Sequence, residues 1–277
     1  ATITNEENSH WIMEYLAKYD RKFGEHSLSL LLGTTTERYD NRTAYAASQN
    51  FLSDITNTNL LGSGDGISGD NVNSSRTSNK LNSYLGRFNY NYKEKYLLTA
   101  SFRADGTSRF SDSHKYAVFP SLAAGWNIYK EKFMQGAGGL SNLKLRLGYG
   151  QIGNQAIGNF ATLQTYIAGG KAIFGDNLYQ GAEPARLPNE NLRWETTEEY
   201  NVGLDFGFFN DRITGSVEYY IKNSGDQLFN KPVAAFTGFS SQVVNFGSVQ
   251  NSGVDMMLNT RNIESRNFSW ETGITAS

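Results

Sequence analysis

Apolar and polar residues alternate with period two along most of the chain, the signature of strands with one apolar face. The clearest run is 194–209: Tyr200, Val202, Leu204, Phe206 and Phe208 share one parity, while Glu195, Thr197, Glu199, Asn201 and Asp205 share the other. The next segment repeats it, with Ile213, Val217, Tyr219 and Ile221 set against Thr214, Ser216, Glu218 and Lys222. Comparable stripes run through Trp11–Tyr19, Leu28–Leu32, Tyr84–Tyr92, Tyr96–Phe102, Tyr116–Ile128, Leu143–Tyr149, Val254–Leu258 and Phe268–Ile274. They predict ten strands and an all-β fold.

The expected connections sort by length. Short links at 20–25, 93–95, 130–142, 210–212 and 262–267 alternate with long ones at 40–80, 104–115, 152–192 and 223–250. Within 130–142 the run EKFMQGAGGL has room for one helical turn. A soluble sandwich has water at both ends and no reason to sort its loops. A barrel in an outer membrane has one, with tight periplasmic turns and long extracellular loops. The predicted architecture is therefore an antiparallel transmembrane β-barrel wall. Trp11, Tyr19, Tyr39, Tyr92, Tyr96, Tyr116, Trp126, Tyr129, Trp194 and Trp270 fall near expected strand ends, where aromatic girdles meet the lipid–water boundaries. The long loops, rich in Asn, Gly, Ser and Thr as in GSGDGISGDNVNSS at 62–75, are expected to be exposed and without an apolar core of their own.

Composition narrows the function. The net charge is -2, without the basic surplus of a nucleic-acid binder. Cys is absent, which removes disulfides, thiolate metal sites and thiol catalysis, and His occurs only at 10, 26 and 114. No run of 18 apolar residues could form a spanning helix. Mean hydropathy is -0.49, yet aromatics make up 13% of the chain, a pairing that suits strands better than buried helices.

Catalytic groupings are not evident. Glu198 and Glu199 are adjacent but would point to opposite faces of a strand, with Glu199 expected in the lumen beside Glu195 and Asp205. Asp65 and Asp70 in GSGDGISGDN loosely resemble a calcium loop but lack its closing Glu, and no Lys-Ser/Thr follows to make a phosphate cradle. No catalytic residue, metal ligand or cofactor is assigned. The candidates for ligand contact are the loop aromatics Phe51, Phe160, Tyr166, Phe174, Tyr179, Phe236 and Phe239, whose rings could stack on sugars or pack against other loops or a partner.

Several longer stretches resemble one family. LPNENLRWETTEEYNVGLDFGFFNDRITGSVEYYIKNSGDQLF (187–229), YKEKYLLTASFRADGTSRF (92–110), VFPSLAAGWNIYKEKFM (118–134), LKLRLGYGQIGNQAIG (143–158) and NFGSVQNSGVDMMLN (245–259) are similar to the barrel portion of SusC/RagA-type TonB-dependent transporters of Bacteroidetes outer membranes. The resemblance spans 81–277 most clearly and extends to 9–40. It implies a barrel of roughly 22 strands around an N-terminal plug, a SusD-like surface lipoprotein outside, and import of oligosaccharides or peptides driven by TonB. Residues 1–277 are expected to form part of a single barrel domain whose plug, TonB-contacting segment and closing strands lie elsewhere. Two other classes remain open, a passive porin or structural barrel and a soluble all-β glycan-binding surface module.

Overall fold

The structure is a computed structural model describing residues 1–51, 53, 60–64, 71–134 and 136–277. The described residues contain fourteen strands: β1 Thr2–Phe23, β2 His26–Ala47, β3 Val72–Tyr92, β4 Tyr96–Thr107, β5 Tyr116–Asn127, β6 Leu140–Asn154, β7 Tyr166–Phe174, β8 Asn177–Pro184, β9 Glu195–Phe208, β10 Ile213–Gly225, β11 Leu228–Pro232, β12 Ser241–Asn245, β13 Ser248–Glu264 and β14 Ser269–Ala276. Ten of them form one antiparallel sheet in the order β1-β2-β3-β4-β5-β6-β9-β10-β13-β14, and these are the ten strands the alternation predicts. The other four make two separate hairpins, β7–β8 and β11–β12, inside the expected loops 152–192 and 223–250.

The sorting of connections holds. At one end the links are Gly24–Glu25, 93–95, 128–139, 209–212 and 265–268; at the other they are 48–71, 108–115, 155–194 and 226–247. The first turn leaves two residues between paired strands, and Gly24 supplies the left-handed backbone it needs at φ +59°. The helical turn expected near 130–142 is present as two short 3-10 turns, Ile128–Lys130 and Lys132–Met134. The loop boundaries differ from expectation at 40–80. There β2 runs on to Ala47 and β3 begins at Val72, so both ends of that span, Asp40–Ala47 and Val72–Lys80, are strand. Polar residues on both faces hide the alternation, and cross-strand hydrogen bonds such as Asn41 Nδ2 to Glu6 Oε1 (2.7 Å) and Tyr39 Oη to Asn8 Oδ1 (2.8 Å) hold the ladder instead.

Register separates the two faces. Across the sheet, Tyr19, Leu30, Phe88, Ala100, Leu122 and Tyr149 lie in successive pairs on one face. Leu145, Leu204, Val217 and Met256 continue the same face through β6, β9, β10 and β13. Tyr19, Phe88, Leu122, Leu204, Val217 and Met256 are exposed and the other four partly so, which a folded chain tolerates where lipid replaces water. Gly86 lies on this face with the Phe102 ring laid over it; a Cβ there would stand 2.5 Å from Phe102 Cε1. An aromatic covering a strand glycine restores packing that the missing side chain forfeits.

Aromatic rings edge the apolar band at the short-turn end. Phe23 stacks on His26 (5.1 Å), His26 on Tyr92 (4.6 Å) and Tyr92 on Tyr96 (6.2 Å), and Trp126 faces Tyr96 across β4 and β5. Trp11, on the same face of β1, lies twelve residues from Phe23. That is about 40 Å of strand, or about 28 Å along the membrane normal at 45° tilt, close to the roughly 25 Å apolar height of such barrels. Two aromatics depart from the expected girdle. Tyr39 points to the opposite face, where it bonds Asn8, and Trp194 is buried at 5% exposure among loop residues.

Candidate functional site

The buried apolar core sits at the long-loop end. Phe110, Phe119, Ile157, Ala161, Leu192 and Trp194 form it, with Leu81, Ala117, Leu228 and Val243 packed against it. Trp194 lies 5.6 Å from the Phe110 ring and 5.5 Å from Phe119, and Leu192 is 0% exposed. The loops were expected to lack an apolar core, and this corrects that reading. Each loop contributes only one to four apolar residues, too few to form a core alone, so the cluster exists only once 108–115, 155–194 and the 226–247 hairpin meet.

Hydrogen bonds stitch the same loops together. Trp194 Nε1 donates to the Lys115 carbonyl (3.1 Å), Ser111 Oγ to that of Glu190 (2.6 Å), and Arg109 Nη1 to that of Gln155 (3.2 Å). Asn189 and Gln242 donate reciprocally across the next gap, to the Val243 and Pro188 carbonyls at 2.9 and 2.7 Å. Arg193 binds Asp226 through two nitrogens at 2.6 and 2.9 Å. Glu195, expected in the lumen, accepts from the Leu228 amide (3.1 Å) and so belongs to this platform.

The platform carries most of the aromatic candidates, but it does not gather them into one site. Tyr166, Phe174 and Tyr179 lie on the β7–β8 hairpin, where Phe174 and Tyr179 meet edge-on at 5.8 Å. Phe236 stands 93% exposed at the tip of the neighbouring loop, while Phe239 is half-buried. Phe160 sits in a left-handed turn at φ +64° and is exposed. Phe51 is half-buried in the 48–71 connection, away from the others in sequence and sheet position. The calcium candidates Asp65 and Asp70 lie outside the described residues. Sequence reasoning missed the platform core; its one signal was a Leu-x-Trp pair, Leu192 and Trp194, just ahead of a strand.

The inward face is polar over β5–β10. Arg146 is held between Asp205 (3.0 Å) and Glu218 (2.9 Å), and Glu199 faces Lys222 at 3.7 Å, so Glu199 and Asp205 point inward as expected. A hollow of about 560 Å³ opens here between Thr99, Ser121, Lys144, Glu199 and Asn201, floored by Gly148 and Gly150. A second, of about 550 Å³, is mixed in character, with Leu16, Leu31, Leu85 and Ile152 beside Glu14, Arg87 and Arg103. Among the described residues no group of three His, Asp or Glu is placed to hold a metal ion.

Comparison with known proteins agrees with this architecture. Residues 2–277 match the family described as TonB dependent receptor-like, beta-barrel. The chain is 34% identical over its whole length to TonB-dependent receptor P3 of Formosa agariphila, of which it covers 27%. It is 42% identical over 70% of its length to TonB-dependent receptor SusC of Bacteroides thetaiotaomicron, covering 20% of that protein. Among solved structures, the RagAB peptide transporter superposes over 98% of this chain with a TM-score of 0.87 at 28% identity, and the chain covers 30% of it. The chain thus spans less than a third of each of these three proteins. With lipid-facing strands, sorted loops and these relatives in agreement, the chain belongs to the TonB-dependent receptor β-barrel family of the outer membrane and is of the SusC/RagA type.

Proposed function

We propose that the whole protein imports oligosaccharides or peptides across the outer membrane, driven by TonB and assisted by a SusD-like surface lipoprotein. The observation that carries this reading is the stitched platform at the long-loop end. Loops that serve only to reverse strands need neither a buried core nor exposed aromatic hairpins, and long ordered loops are where binding is usually carried. The platform sets Tyr166, Phe174, Tyr179 and Phe236 outward, where they can meet cargo or the lipoprotein. SusC and the RagAB peptide transporter, named for receptor and transport activity, support the same reading. A soluble glycan-binding module does not fit the outward face, whose continuous apolar rows would aggregate in water.

The test is growth of the parent organism on single glycans or peptides with the gene intact, deleted, or placed in a strain lacking TonB. Loss of growth on one nutrient in both mutants, with the lipoprotein co-purifying with the intact protein, is the expected result. Growth independent of TonB would favour a passive barrel.

A further inference from the structure

The outward face of the wall changes character immediately beyond Trp11. Three strands, β1–β3, continue there for about nine more residues at the long-loop end. Their outward side chains fall in register rows. Trp11, Arg38 and Lys80 make one row, Ser9, Asp40 and Ser78 the next, and Glu7, Arg42 and Arg76 the third. Two like-charged pairs, Arg38–Lys80 and Arg42–Arg76, therefore stand directly opposite each other on neighbouring strands, an arrangement that is unfavourable unless an anion relieves it.

The described residues supply too little negative charge for relief. Asp40 is taken by Arg38 through Nε (2.5 Å) and Nη2 (3.0 Å), and Arg76 reaches it only at 3.5 Å. Arg42 and Lys80 make no ion pair among the described residues, nor does Glu7, although Glu7 lies across from Arg42. Arg42 and Arg76 line an open depression of about 400 Å³ with Asn5, Glu7, Ala44 and Ser74, so space for an anionic group is present. Arg42 is four residues beyond Trp11, about 14 Å along the strand and about 10 Å above the girdle at 45° tilt. That is the height of headgroups.

We propose that Arg38, Arg42, Arg76 and Lys80 form a binding site for the phosphate groups of an outer-leaflet glycolipid, on the lipid-facing side of the β1–β3 wall. The guanidinium pair opposed at Arg42 and Arg76 can take phosphate oxygens in a bidentate manner, which the point charge of a lysine ammonium cannot offer. Lipid is favoured over a soluble acidic partner because the cluster is continuous with the apolar band through Trp11, on the face that Tyr15, Leu30 and Phe88 give to hydrocarbon. A ligand bound here stays outside the barrel and is not cargo.

The experiment uses the full-length protein in nanodiscs. The probes are diphosphoryl lipid A, the same lipid A with its phosphates removed, and inorganic phosphate as competitor. The number of lipid A molecules retained is counted by native mass spectrometry. The expected result is preference for the phosphorylated form, reduced by roughly tenfold or more in Arg42→Ala/Arg76→Ala and by less in Arg42→Lys/Arg76→Lys, which keeps the charges and loses the bidentate fork. Millimolar phosphate should not displace it, and Lys18→Ala on the inward face should leave it unchanged. Heat-modifiable migration confirms that each variant is folded, and the lysine pair keeps the test open if the alanine pair does not assemble. Equal retention of both lipid forms, equal retention by wild type and the alanine pair, or displacement by phosphate alone would overturn the proposal. With soluble poly-glutamate as a further probe, loss of its binding in Arg42→Ala/Arg76→Ala while lipid A retention stays constant would overturn it too.

Discussion

A single residue on β9 can be judged by which face it occupies. Leu204 is outward and lies between Leu145 and Val217 in register, so Leu204→Arg is expected to destabilise by about 2–4 kcal/mol near the midplane. Asp205 points inward, and its partner Arg146 keeps Glu218 at 2.9 Å when Asp205 is lost. Asp205→Asn is therefore expected to cost under about 1 kcal/mol, the usual scale for a partly exposed ion pair. Urea titration of the refolded full-length barrel in lipid compares the two, and equal effects would contradict the facing. At the short-turn end, Glu131 accepts from Lys95 Nζ (2.9 Å), Tyr96 Oη (2.7 Å) and Trp126 Nε1 (3.2 Å). These donors, Lys95 foremost, hold its carboxyl at about 2, well below the usual 4.5. A depressed carboxylate stabilises above its ordinary pKa and loses that contribution as pH falls. The clamp should hold at pH 5 and above, weaken between about pH 4.5 and 2, and show no such pH dependence in Glu131→Gln. Trp126 fluorescence followed through an acid titration reads it directly.

At the scale of elements, the hairpin and the platform separate. Replacing all of 152–192 by a tight turn would remove Ile157, Ala161 and Leu192 from the core and leave Phe110, Phe119 and Trp194 uncovered. Deleting only 167–183, most of β7–β8, removes no core residue. The short deletion is expected to leave the platform's protease resistance intact while reducing lipoprotein retention, and the long one to abolish both. Trp194→Ala should loosen the platform by about 3–5 kcal/mol, the scale of a large aromatic deletion, with barrel heat-modifiability preserved. Limited proteolysis at 108–115 and 155–194 checks both. The ten wall strands were legible in the sequence because one face of each meets lipid, which keeps the period-two alternation intact. The upper parts of β2 and β3 were not, because a strand polar on both faces carries no such signal. The loop strands were hidden for other reasons: β7–β8 is exposed on both sides, as at Tyr166, Ile167, Ile173 and Leu178, while β11 and β12 are only five residues each, too short to show a period. The candidate aromatics were legible as exposed rings, but their separation was not. It depends on which loops pack together, and the residues that decide this are scattered from 110 to 243.

For the whole molecule, the described sheet is a wall whose outer strands, β1 and β14, do not pair with each other. Each leaves one row of backbone groups unpaired, which lipid penalises severely. We expect these 277 residues alone to aggregate on transfer to liposomes; clean monomeric insertion would contradict this. The order of strands has a temporal meaning as well. Every wall strand neighbours the wall strand before and after it in the chain, so pairing can advance strand by strand, and the longest stretch of chain to close is 155–194. The platform obeys no such order. Trp194 needs Phe110, 84 positions earlier, and the 228 and 243 segments still to come. Its closure must wait until β4, β5, β6, β9 and β10 have been laid down, which makes resistance of the outer loops to protease a clock for the assembly of that part of the wall.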